Sequence, residues 1–265
     1  MRRFSADYLE RTREGMWDDR TALADLSLSD RRRVLDVGAG TGELTRVLAE
    51  EVPDEATVVA LDADPSLLSV ARDAGLSTVL GDATRLPVRD GAFDLVVCQA
   101  LLVNLPDPVA AVREFRRASS GLVAAIEPHN GDVAVASTVD AEPSVEARAR
   151  EAYLEGVRTD VAPGDRVPAL FGEAGLTDVR TRRYRHEKRI EPPYDESALR
   201  AGARKATGEA LTDHADELER VLSDDEYDAL RRDWRAMGRE VVAQMRDRTY
   251  ERVELVPFDV TVGRV

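Results

Sequence analysis

Along the first half of the chain, short apolar runs alternate with amphipathic stretches. The strand-like runs are Arg33–Val37, Thr57–Leu61, Thr78–Leu80, Phe93–Cys98 and Leu122–Ile126. Helical patterns, with apolar residues three or four positions apart, fall in Glu43–Glu51, Pro65–Ala74 and Pro108–Ala118. Repeated strand–helix units predict a parallel sheet covered on both faces. Right-handed crossovers then make the sheet doubly wound, with its ligand site at the carboxyl ends of the strands. Residues 4–30 read as a polar helix, with Phe4, Tyr8, Leu9, Met16, Trp17, Leu23 and Leu26 as candidate buried positions.

After Ile126 the spacing loosens. Ser144–Arg158 reads as a helix, as does Asp165–Ala174, which Gly175 stops. Asp178–Ile190 is an arginine-rich strand, 195–250 is almost wholly helical with Asp213 or Ser223 as caps, and Arg252–Val262 is a last strand. There is no internal repeat or low-complexity linker, so the extra helices read as insertions into one domain, 1–265. Within it we expect an N-terminal helical lid (1–30), a ligand-binding core (31–135), helices and a sixth strand (136–190), a helical insertion (195–250) and the last strand (252–265).

Charge narrows the partners. With 51 acidic and 37 basic residues the formal charge is −14, which argues against a nucleic-acid backbone or an anionic membrane surface as the main partner. Only Lys188 and Lys205 are lysines among the 37. A GC-rich genome and adaptation to high salt both fit; we favour high salt, because codon bias alone does not produce the acid surplus. Cys98 is the single cysteine, which excludes intrachain disulfides and cysteine-built zinc sites. No run is long and apolar enough to cross a membrane, and MRRFSADYLE lacks the apolar stretch of an export signal, so the expected location is cytoplasmic. Oligomeric state is left open.

The strongest chemical signal is VLDVGAGTGELTRVLAEE, residues 34–51: a buried strand, three glycines and a helix in immediate succession. Glycines at such a junction let the chain turn sharply and let a ligand lie on bare backbone. The spacing is D-x-G-x-G-x-G from Asp36 to Gly42, not the G-x-G-x-x-G of dinucleotide folds, and no lysine is present as a triphosphate loop requires. Asp36 favours a ligand with positive charge. Asp62 ends the next strand, where an acid can accept from both ribose hydroxyls. Asp82, after the third strand, stands where a carboxylate with Ala83 can meet an adenine ring.

With these residues in view, 33–126 resembles the class I S-adenosylmethionine-dependent methyltransferases. The resemblance rests on VLDVGAGTG, VVALDAD and GDATRLPVRDGAFDLVVCQALL. DGAFDLVV followed by LPDPVAAVREFRR is similar to the small-molecule branch containing the ubiquinone/menaquinone C-methyltransferases. The resemblance implies an α/β, Rossmann-like, mostly parallel seven-stranded sheet with N- and C-terminal helical lid elements. It also implies S-adenosyl-L-methionine as cofactor and a small-molecule acceptor, without choosing C-, N- or O-methylation. Gly38, Ala39 and Gly40 would pass under the cofactor; Asp36 would orient the loop or meet its amino group; Asp62 and Ala63 would hold the ribose; Asp82 and Ala83 would meet the adenine; Gln99 would face the methionine part. Asp94 would be structural, fixing strand to loop. The K-P-G-G turn common before the fifth strand is absent, RASSGLVAAIEP reading as a shortened turn.

Methyl transfer from a sulfonium is an in-line displacement that needs positioning and water exclusion, with a base only for some acceptors. His129 and Glu127, both after the fifth strand, are candidate bases; a loop histidine and a structural carboxylate are the plain readings. Asn104 is a candidate substrate contact, while His186 and His214 read as surface residues and Cys98 as a buried small side chain. Leu230, Trp234, Met237 and Val241 share one helical stripe, either core packing or part of a lid. Arg180–Arg189 reads as an outer strand facing acids, and Pro192, Pro193 and Tyr194 as a turn. Two other functions are weighed: a non-catalytic cofactor-binding scaffold and an NAD-dependent oxidoreductase, the latter disfavoured by the glycine spacing.

Overall fold

The computed structural model describes residue 13, residues 15–157 and residues 166–265. Phe4, Tyr8 and Leu9 lie outside the described residues. The described residues fall into two compact units. The first comprises the chain up to Pro128, with 166–184 and 258–265; the second comprises 129–157 and 185–257.

The strands are β1 (Arg33–Val37), β2 (Thr57–Asp62), β3 (Ser77–Leu80), β4 (Phe93–Gln99), β5 (Ser119–Pro128), β6 (Ala134–Ser137), β7 (Thr177–Ile190) and β8 (Arg252–Arg264). In the first unit β3-β2-β1-β4-β5 run parallel, with Val37 opposite both Leu61 and Cys98. β8 continues the sheet antiparallel to β5, Ile126 opposite Val260, and β7 pairs with β8. The order of connection reverses between β1 and β4, so their carboxyl ends flank the switch point where such sheets bind ligands. In the second unit the short β6, an addition to the seven strands expected, pairs with β8 at Arg252–Leu255. Its four residues, AVAS, are too few to show a pattern.

Alternation along the strands makes two apolar faces. Leu35, Val37, Val96, Cys98, Val123 and Ala125 pack with Val112 and Phe115 of α3 (Pro108–Ala118) and with Val167 and Phe171 of α5 (Val167–Glu173). Val34, Leu95, Val97, Ala124 and Ile126 pack with Leu44 and Leu48 of α1 (Glu43–Glu51), and with Trp17, Leu23 and Leu26. α2 (Pro65–Asp73) and α3 start as their sequences predict. Asp64 and Asp107 accept from the N–H groups of Ser66 and Ala110 at 2.8 and 3.0 Å, and proline follows each cap. β5 begins directly after α3, the shortened turn expected there. Asp94 Oδ2 accepts from the N–H groups of Arg32 and Arg33, tying β4 to the start of β1.

Two expectations change. Residues 20–30 form two 3-10 turns, Arg20–Leu26 and Leu28–Asp30, because Ser27 at φ 51° interrupts the helical path. His186, expected at the surface, is buried: β7 turns its even-numbered side chains from Tyr184 onward inward, and the period of two carries His186 with them.

The second unit contains α4 (Glu142–Gly156), α6 (Glu196–Thr207), α7 (Glu209–Thr212), α8 (Ala215–Leu218) and α9 (Asp224–Asp247). Ser223 caps α9 through a reciprocal box with Glu226. Leu230, Trp234, Met237 and Val241 are all buried in this unit's core with Val145, Leu211 and Tyr250, so the stripe is packing. The core also holds a charged cluster. Glu146 accepts from Lys205 Nζ at 2.6 Å and Arg252 Nη2 at 2.8 Å. Glu142, fully buried, accepts from Ser137, Lys205 and the Tyr250 hydroxyl. The arginine-rich strand faces acids as expected: Arg182 pairs Asp25 and Arg183 pairs Asp259, each at 2.8 Å.

Candidate active site

Between β1 and α1 the chain turns through Gly38, Gly40 and Gly42 at φ 74°, 59° and 84°, conformations cheap only for glycine. Gly38 has a second reason. A Cβ there would lie 2.8 Å from Leu101 Cδ1, so the Leu101 side chain rests on bare backbone. The N–H groups of Gly38 and Ala39 donate to the Leu61 carbonyl at 2.7 and 3.0 Å, which ties the loop to the end of β2.

The three acids do different work. Asp36 is buried under the loop, and its Oδ2 accepts from the Thr45 hydroxyl at 2.6 Å in the first turns of α1. Burial raises its pKa to about 6, against the opposing pull of Thr45 and Arg13. Asp62 spans two backbone donors, Oδ2 accepting from Gly40 N–H and Oδ1 from Asp64 N–H, both at 2.8 Å. It therefore shapes the glycine loop and starts α2. Asp82 is exposed, and the Thr84 hydroxyl and N–H donate to its Oδ1, both at 2.7 Å, holding its pKa below the ordinary carboxylate range. Ala83 and Ala39 are buried and Ala63 is exposed.

At the end of β4, Gln99 is buried and its Nε2 donates to the Met16 thioether at 3.0 Å. Its Oε1 has no hydrogen-bond partner among the described residues, and neither has the buried Thr41 hydroxyl in the glycine loop. Ala100 follows at φ 49°, a conformation costly for a residue with a Cβ. Asn104 Nδ2 donates to the Ala100 carbonyl at 2.8 Å, bracing the same loop. Glu127 is fully buried; Oε1 accepts from the N–H groups of Leu101 and Leu102 at 3.1 and 2.9 Å, and Oε2 from Val103 at 3.4 Å. Burial raises its pKa to about 7, opposed by those donors. Cys98 is buried beside it, and burial first, then Glu127, pushes its thiol well above the usual range. That keeps Cys98 protonated, an inert core side chain as expected.

Asp36, Gly38, Ala39, Gly40, Asp62, Gln99, Asn104 and Glu127 thus belong to the first unit, at the carboxyl ends of β1, β2, β4 and β5, while Asp82 and Ala83 follow β3. His129 belongs to the second unit, its Nδ1 3.3 Å from Asp132 Oδ2. Sequence reasoning missed Thr41, Ala100 and Leu101. The hydroxyl of Thr41 between two glycines was a readable signal; Ala100 stands out only by its backbone conformation and Leu101 by a side-chain contact with Gly38 that only the fold makes. Among the described residues no group of three His, Cys, Asp or Glu is placed to hold a metal.

Bare glycine backbone beside two buried polar atoms without partners among the described residues is what a ligand with both apolar and hydrogen-bonding edges requires. Comparison with known proteins gives the family that this part of the chain resembles. Residues 35–125 match the sequence model of the family described as "Methyltransferase domain". This stretch resembles a class I S-adenosylmethionine-dependent methyltransferase domain. The chain is 41% identical over 93 residues to the ubiquinone/menaquinone biosynthesis C-methyltransferase UbiE of Xanthomonas campestris; that match covers 32% of this chain and 37% of the relative. The demethylmenaquinone methyltransferase of Shouchella clausii is 29% identical over 170 residues, 57% of this chain and 72% of that protein. Among solved structures, YcgJ of Bacillus subtilis superposes with a TM-score of 0.52 at 17% identity, covering 92% of this chain and 98% of that one, which shows a shared fold.

Proposed function

We propose that the chain transfers a methyl group from S-adenosylmethionine to a small organic acceptor by in-line displacement. The observation that carries the reading is the glycine loop: Asp62 pins Gly40, and the Thr41 hydroxyl and Gln99 Oε1 are buried without protein partners among the described residues. The quinone-related relatives support an acceptor of that size and polarity class.

In this reading Gly38, Ala39 and Gly40 carry the cofactor on backbone, Asp62 and Ala63 meet the ribose, and Asp82 and Ala83 meet the adenine. Thr41 and Gln99 answer the polar end. When bound, the sulfonium supplies an activated methyl group and a neutral thioether as leaving group. The chain's task is orientation and exclusion of water, worth up to about 7–11 kcal/mol in well-aligned cases. Asp36 supplies a buried carboxylate beneath a cationic ligand. Where the acceptor must lose a proton, His129 is the candidate base. The acid surplus fits a salt-rich cytoplasm.

Calorimetry tests the cofactor. S-adenosylhomocysteine binds and NAD does not; equal or tighter NAD binding overturns the reading. Asp62→Ala weakens cofactor binding by about tenfold or more, roughly 1.4 kcal/mol, and unchanged affinity removes Asp62 from the ribose. The acceptor is sought by incubating the protein with a metabolite extract and methyl-labelled cofactor and identifying the labelled product. Transfer to no component counts for a non-catalytic cofactor-binding protein.

A further inference from the structure

Glu127 stands at the carboxyl end of β5, and its carboxylate faces backbone. Both oxygens are engaged by consecutive N–H groups, those of Leu101, Leu102 and Val103. These three residues begin the loop after β4 and its 3-10 turn, Leu102–Asn104. Free N–H groups at the start of a helical turn need acceptors, and a buried carboxylate answers all three at once. The loop needs such a hold, because Ala100 just before it sits at φ 49°. Asn104 braces the same loop through the Ala100 carbonyl, and Ala100 N–H donates to Ile126 of β5 at 2.8 Å.

What the hold positions is the Leu101 side chain. Its Cδ1, Cδ2 and Cγ lie 2.8, 3.1 and 3.2 Å from where a Cβ of Gly38 would be. Leu101 therefore packs directly on the first glycine of the cofactor loop, whose other side is tied to Leu61 and, through Gly40, to Asp62.

We propose that Glu127 is a positioning residue for cofactor binding: it fixes Leu101–Val103, and Leu101 in turn holds the glycine loop at Gly38. The inference rests on the cofactor reading above. It removes Glu127 from the candidate bases, since a carboxylate committed to three backbone donors has no role in taking a substrate proton. Glutamine at 127 keeps an acceptor for Leu101 and Leu102 but sets an NH2 group against Val103 N–H. Alanine removes every acceptor.

The test is S-adenosylhomocysteine affinity measured by calorimetry on the whole chain. Glu127→Gln weakens binding by about threefold and Glu127→Ala by about tenfold or more, and Leu101→Ala also weakens it. The double variant Glu127→Gln with Leu101→Ala is no weaker than the worse single variant within about twofold, because both act on one element. Wild-type affinity in folded Glu127→Ala, or additive losses in the double variant, overturns the proposal. A second measurement needs no variant. Bound S-adenosylhomocysteine slows amide hydrogen exchange at Leu101–Val103 together with Gly38 and Ala39. Slowing at the glycines alone overturns the proposal while leaving the cofactor reading intact. A wild-type chain that binds neither S-adenosylmethionine nor S-adenosylhomocysteine overturns the cofactor reading, and this one with it.

Discussion

The carboxylates buried at the glycine loop and the β4 loop of the first unit, and those in the core of the second, are answered in opposite ways. In the first, Asp36 is answered by a hydroxyl and Glu127 by backbone N–H groups, and burial lifts their pKa values to about 6 and about 7. In the second, burial also pushes Glu146 upward, but Lys205 and Arg252 outweigh it and hold its pKa below the ordinary value. The contrast is chemical. Neutral donors satisfy a carboxylate's lone pairs without cancelling its charge, so a cationic ligand can still gain by approaching it. Paired cations cancel the charge and leave nothing for a ligand, so the second cluster is architecture. One of the chain's two lysines is spent there.

The largest expected effect breaks the paired cluster. Arg252→Met leaves Glu142 and Glu146 with Lys205 alone and costs about 3–5 kcal/mol in urea unfolding; a loss under about 1 kcal/mol would show that the pair is not stabilising its unit. Acid sharpens the contrast next. Folded Asp36 and Glu127 titrate above their ordinary 3.8 and 4.5, so the folded state holds protons the unfolded chain has released. The stabilisation from those protons is complete below about pH 4 and is lost as pH rises through about 6 and 7, on the order of 3 kcal/mol per group. Urea unfolding at pH 5 and pH 8 should show the wild type losing more stability with rising pH than Asp36→Asn or Glu127→Gln; equal losses would refute the assignment.

Glu146 has the opposite sign, its contribution being present above its ordinary 4.5 and lost as pH falls through its lowered folded value. Hydrogen exchange at falling pH should therefore show α4 and α6 opening before β1 and β4; the reverse order contradicts it. Smaller is Thr45→Val, which leaves Asp36 without its hydroxyl donor and costs about 1–3 kcal/mol at pH 8 by urea unfolding. The cost should shrink toward pH 5, and a pH-independent loss would place the effect in packing. Smallest is Asp107→Ala, which removes the exposed carboxylate capping α3 and costs about 1 kcal/mol on the same assay at either pH.

Much of the cofactor half was legible because its signals are local. β1 and α1 fall where periodicity puts them, and the cap of α9 at Ser223 follows from S-x-x-E. The glycines and the strand-end acids Asp36, Asp62 and Asp82 are positions that backbone sterics and ligand charge make distinctive. Their hydrogen bonds were not legible. That Asp62 grips Gly40, or that Glu127 grips Leu101–Val103, depends on strands far apart in sequence meeting in register. His186 misled because a polar residue in a polar sequence carries no sign of which face of β7 is covered. The stripe on α9 was visible, but whether it lines a core or a lid depends on what packs against it, and only packing answers that.

By itself the sequence determined the βα order and the glycine turn, because chain stiffness and apolar period act over a few residues. It also determined the charge of −14. Tertiary structure alone decided which buried acids stay unneutralised and which are paired. Whether a carboxylate meets a backbone N–H, a hydroxyl or a guanidinium is set by which elements are brought together, and the pKa follows from that meeting, not from the residue's name.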